Sequence, residues 1–108
     1  MASEVLKVAF KAGLTNSEHV MINGASGHTY TVLSFTVCET AGAAETFDVY
    51  IDDDGSGTDY EIYSDQAIGA NETFEHTGRI VLEGTDHLCF AASAGNMDVV
   101  VSYLDQTL

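Results

Sequence analysis

A chain of 108 residues with 45% apolar content supports one domain with one core and leaves little room for a second domain or a deep substrate cleft. Seventeen acidic residues face three basic ones, Lys7, Lys11 and Arg79, for a formal net charge of −14. That balance argues against a nucleic-acid partner, because phosphate backbones are held by clustered Lys and Arg. It favours solubility and repulsion between like copies, and suits a salt-rich medium where self-repulsion is screened. No apolar run approaches the ~18 residues of a membrane helix, and Met1-Ala2-Ser3-Glu4 lacks the basic start and apolar stretch of a signal peptide. The expectation is a soluble product made in the cytoplasm, with no membrane partner.

Proline is absent, so the ten glycines, with Asn and Asp, must make the turns. Glu4 to Phe10 is predicted as a first strand ended by Ala12-Gly13, and residues 1–11 as an N-terminal arm or edge strand of a single domain spanning 1–108. Glu18 to Ile22 is a second strand, closed by Asn23-Gly24. In the run 29–38, Leu33, Phe35 and Val37 alternate onto one apolar face, which sets Tyr30, Val32, Ser34 and Thr36 on the other. Ala41 to Ala44 is short enough for a hairpin, and in Glu45 to Ile51 the residues Phe47, Val49 and Ile51 point inward while Tyr50 points out. The polar tip Asp52 to Asp59 precedes Tyr60-Glu61-Ile62-Tyr63. Glycine-bearing turns then delimit strands at Glu72–His76, Arg79–Leu82 and Asp86–Ala91, and the last strand places Met97, Val99, Val101 and Tyr103 on one side. Period-two alternation in about eight short strands predicts an all-β fold, an antiparallel, jelly-roll-like β-sandwich.

Chemistry-bearing patterns are sparse. In the tip, Asp52, Asp54 and Ser56 followed by Gly57 match the first half of a calcium loop of the helix–loop–helix type. The twelfth position is Tyr63 instead of a bidentate Glu, so the calcium candidates reduce to a looser set of Asp52, Asp54, Ser56 and Asp59 beside the plain reading of a solvated hairpin end. His19, His28, His76 and His87 are dispersed without zinc-ligand spacing, although His87 and Cys89 share a strand face. Neither a Gly-x-Ser-x-Gly elbow nor a glycine-rich phosphate loop occurs, so no catalytic residue and no cofactor are assigned and the expectation is a non-enzyme. Cys38 and Cys89 read as two half-buried thiols, with one internal disulfide as the alternative. Tyr30, Val32 and Tyr50, outside the apolar faces of their strands, are candidate interface residues together with Lys7 and Lys11. Tyr60 and Tyr63 beside a calcium tip would offer a stacking platform for a carbohydrate.

The order of segments resembles small β-sandwich virion proteins of tailed viruses, the capsid decoration (cement) and head or tail accessory proteins of bacteriophages. The resemblance runs from Tyr30–Cys38 through Phe47–Ile51, Gly69–Phe74 and Gly78–Leu82 to Gly84–Leu88, Ala92-Ser93 and Asp98–Ser102. The acidic tip is longer than such proteins lead one to expect. The resemblance implies a non-enzymatic virion component on the capsid surface, bound to the major capsid protein and to copies of itself, with a homo-oligomer, a trimer by preference. A tail, connector or fibre component of the same virion, and a carbohydrate-binding module, are the alternatives. No functional residue is carried over from it.

Overall fold

The computed structural model describes residues 2–107, which form nine strands and one short 3-10 turn and, among the described residues, no α-helix. The strands are β1 (Ser3–Leu14), β2 (His19–Asn23), β3 (His28–Glu39), β4 (Glu45–Asp52), β5 (Asp59–Ile68), β6 (Thr73–His76), β7 (Ile80–Glu83), β8 (His87–Ala92) and β9 (Met97–Thr107). They pair antiparallel in two sheets. The first runs β1-β9-β3-β6, with β7 also on β3, and the second runs β2-β8-β4-β5. The chain crosses between sheets at nearly every connection, which is the winding of a jelly roll, with β6 and β7 together occupying one strand's place beside β3.

Alternation places the core as expected in β4 and β9. Phe47 and Val49 are buried and Ile51 packs beside them, while Met97, Val99 and Val101 are fully buried with Tyr103 against them. Phe35 and Phe90 meet edge-on at 5.1 Å between the sheets, and His76 stacks flat on Phe35 at 4.8 Å. Each fully buried Phe contributes about 2–3 kcal/mol by area alone, and Phe35 with Phe90 joins the two sheets at the core.

The assignment of faces in β3 needs correction. Pairing between β3 and β9 slips by one residue between Val32 and Ser34, a bulge centred on Leu33. One extra residue reverses the parity of the strand. Tyr30 and Val32 therefore point into the core with Phe35 and Val37; Val32 is 0% exposed and Tyr30 uses its hydroxyl to accept the Ala25 N–H at 3.0 Å. Neither belongs to an external surface. Two other boundaries also shift. β1 continues through Gly13, whose φ of 66° marks a second irregularity, to the buried Leu14. β5 extends to Ile68 because Asp65, in the left-handed region at φ 49°, donates its N–H to Asp48 Oδ1.

One end of the sandwich is tied by a buried carboxylate. Glu39, the last residue of β3, accepts N–H groups from Ala41, Gly42 and Ala43 of its own turn and from Asn71 of the β5–β6 turn, at 2.8–3.1 Å. Burial alone would push this carboxyl up, but the donors from Asn71 and Ala41, a hydrogen bond with Glu45 and the Gly42 N–H outweigh it and hold it at about 2. Its folded value lies below the ordinary 4.5, so its stabilising contribution is complete above pH 4.5 and is lost as pH falls toward 2. Glu39→Gln keeps the shape but turns an N–H₂ toward N–H donors. Thermal denaturation is expected to show a Tm lower by roughly 5 °C or more at neutral pH, with the gap to the wild type closing on acidification through that window. An unchanged Tm, or a gap independent of pH, would contradict this role.

Candidate assembly surface

The outer face of the first sheet follows from the registers. β1 turns Leu6, Val8 and Phe10 outward, opposite Leu104, Ser102 and Val100 of β9. Beyond β9, Thr31, Ser34 and Thr36 of β3 continue these rows, and Val81 of β7 lies beside Thr31. Leu6 and Phe10 are each 73% exposed, and Val8, Val81 and Val100 are exposed as well. The centre of this face carries no charge. Its acids stand at the margins: Glu4 and Glu83 at one end, Asp98 at the other, Glu75 on the far edge. An uncharged centre, where the hydroxyls of Ser102, Thr31, Ser34 and Thr36 lie between the apolar side chains of β1 and Val81, inside an acidic rim has the anatomy of a contact surface, and acids are withdrawn from it in a chain of −14.

β1 is also an open edge. It pairs with β9 on one side only, over residues 3–11 without a break, and is exposed over most of its length on both faces. Other edges are guarded. β2 has five residues and a bulge, β6 and β7 have four each, and β5 carries Asp59, Glu61 and Asp65 with two breaks against β4. Lys7 and Lys11 both lie on β1, on its inner-facing side. Lys7 is already engaged: its Nζ donates to Asp105 Oδ2 at 2.8 Å, while His28 Nδ1 meets Oδ1 of the same carboxylate at 2.7 Å. The Lys7 and His28 partners hold the Asp105 carboxyl below its ordinary value despite burial. Lys11 is exposed.

The remaining candidates sit on the second sheet. Tyr50 does face outward, opposite Cys89, but it is covered: its hydroxyl donates to Glu18 Oε2 at 2.6 Å. Asp52 and Asp59 converge with Glu18, whereas Asp54 groups with Asp53 and Asp86, so the four calcium candidates fall into separate places. Ser56 turns its hydroxyl back to the Asp53 carbonyl, and Asp52 Oδ1 accepts the Gly57 N–H at 2.8 Å. The tip thus closes on itself as a hydrogen-bonded hairpin end. Burial, then the charges of Asp52 and Glu18, push the Asp59 carboxyl up. Neither acid group includes a histidine. His19 is bound by Thr15, and His76 bridges the Tyr63 hydroxyl and the Gly78 carbonyl. Tyr63 is drawn into the Phe35 and Phe74 cluster, leaving Tyr60 exposed alone, so the two do not form a stacking platform. Sequence reasoning missed Glu18 and the outward set Leu6, Val8 and Phe10; the apolar run on both parities of β1 was the available signal.

No family model and no curated protein matches this sequence. Its fold is similar to solved structures at low identity. The subunit of Bacillus endospore appendages, described as a family of disulfide-linked pili, aligns with a TM-score of 0.61 at 11% identity over 100% of this chain and 91% of that one. The acid-stable capsid of Helicobacter pylori bacteriophage KHP30 contains a chain that aligns at 0.55 and 13% identity, over 100% and 94%. Infectious bursal disease virus, Gx strain, gives 0.56 and 10% identity over 97% of this chain and 32% of that one. The β-sandwich is therefore one shared with capsid and pilus subunits.

Both cysteines are free and stand on opposite sides of the sandwich, Cys38 outward on the first sheet and Cys89 outward on the second, so they cannot bridge. Cys89 is 0% exposed; burial, then the nearby Glu18, Asp52 and Asp59 charges, push its thiol up to about 12. A Cys38→Ser protein at pH 8 is expected to react with a thiol reagent at least about a hundredfold more slowly folded than unfolded. Equal rates would show that the cover over Cys89 is not in place.

Proposed function

We propose that this chain is a non-enzymatic structural protein of a virion, seated on the outside of a tailed-virus capsid, which it decorates and stabilises. The observation that carries the reading is the uncharged outer face of the first sheet, with Leu6, Val8, Phe10, Val81 and Val100 exposed on it, in a chain otherwise dominated by acids. Stabilising a shell takes a contact of about 800 Å² per partner, for which a broad face free of charge at its centre is suited. The charge supports an exterior position, because a −14 chain is repelled by packaged DNA. The partners are then the major capsid protein through this face and further copies of the chain. A tail, connector or fibre component is the second reading, supported by the open β1 edge, where a strand of another chain can add.

Residues 1–11 make up most of β1, so removing them would uncover β9 and confound any binding measurement. Single charges on the outer face are cleaner. Val100→Asp and Val81→Asp are each expected to lower occupancy on purified capsids at least about tenfold, since a buried unpaired carboxylate costs more than the 1.4 kcal/mol that a decade requires. Counting copies per particle separates the readings: hundreds support the capsid surface and a handful supports the tail. Full occupancy by both variants would overturn the role of this face.

A further inference from the structure

We infer that the open edge of β1 takes the same edge of a second copy of this chain, in antiparallel pairing about a twofold axis. The inference rests on the reading of this sheet as an assembly surface, and not on which larger assembly the chain joins.

Three features select a second copy. The first is self-complementary register. A twofold perpendicular to the sheet keeps each face on its own side, so residues of equal parity stand opposite one another. With Val8 on the axis, Val8 meets Val8 and Leu6 meets Phe10 on the outer face, while Lys7 meets Ala9 and Lys11 meets Val5 on the inner face. Glu4 meets Ala12. No like charges stand opposite, and the two most exposed apolar residues of the strand cover each other.

Charge is the second. With Lys7 paired to Asp105, β1 is left near neutral, Lys11 against Glu4, whereas β5, the long edge on the other sheet, holds three acids and no base. Two chains of −14 meet with least repulsion along β1. The third is length. β1 is unbulged from Ser3 to Lys11, and pairing over residues 4–12, one residue into the irregularity after Lys11, runs about 30 Å. Such pairing buries on the order of 1,000 Å² in total, the floor for a specific contact, so the dimer is expected to be concentration-dependent. It joins the first sheets of both copies and makes their outer apolar faces continuous across the axis.

The test uses the full chain. Sedimentation velocity over a concentration series is expected to show a monomer–dimer equilibrium, with the dissociation constant raised at least tenfold by Phe10→Asp and unchanged by Val81→Asp. In a Cys38→Ser background, Val8→Cys is expected to form a disulfide-linked dimer under mild oxidation at least tenfold faster than Val81→Cys, because opposed Cβ atoms lie about 5 Å apart. A wild-type monomer up to about 1 mM would overturn the inference. So would a dimer indifferent to Phe10→Asp, while faster self-linking of Leu6→Cys than of Val8→Cys would overturn the register. A chain that dimerises this way yet leaves capsids bare removes the capsid-surface reading alone, and one that coats capsids as a monomer removes the dimer alone.

Discussion

The extra residue at Leu33 is the constraint on which the rest of the sandwich depends. β3 is the central strand of the first sheet, and its bulge falls where its partner changes from β7, at Thr29 to Val32, to β6, at Phe35 to Cys38. With the bulge, Tyr30 and Val32 join Phe35 and Val37 in the core, and both halves of the strand contribute to it. The complement of that arrangement is the outer surface. Thr31, Ser34 and Thr36 are left facing out in the middle of the sheet, small and uncharged. Without the slip, one half of the strand would present Tyr30 and Val32 to solvent and bury threonines.

That uncharged middle acquires meaning from charge. Acids crowd the second sheet and the tip: Glu18, Asp52 and Asp59 converge beneath Tyr50, and Asp53, Asp54 and Asp86 gather beside them. The first sheet keeps its acids at the margins and spends one of the chain's three cations internally, where Lys7 neutralises the buried Asp105. Charge of one sign over most of a surface, with one face left uncharged at its centre, makes association directional. The acidic surface and the open edge thus act together: repulsion closes most approaches, and β1 remains the approach least opposed.

The parts legible in the sequence are those where local alternation and burial agree. Phe47, Val49 and Ile51, and Met97 through Tyr103, read correctly because their strands run without interruption on the core face. β3 misled because Leu33 is itself apolar, so 33, 35 and 37 completed a false series; the true inward set, 30, 32, 35 and 37, contains the step of three that a bulge leaves. β1 concealed its exposure for a related reason. Apolar residues on both parities ordinarily mark a strand buried on both faces, and here they lie on an edge. Contacts such as Glu18 with Tyr50, or Glu39 with Asn71, join residues 32 apart and have no local pattern to announce them.

The central claim, that the chain associates through β1 and the face beside it, is tested most directly by hydrogen exchange resolved along the edge strands. In dilute protein the alternate β1 amides that point away from β9 are expected to exchange quickly, as unpaired edge groups do. In the assembled state, whether concentrated protein or occupied capsid, the same amides within residues 3–11 are expected to become protected while those of β5 keep their dilute rates. Protection that appears on β5 or β2 and leaves β1 unchanged would contradict the account.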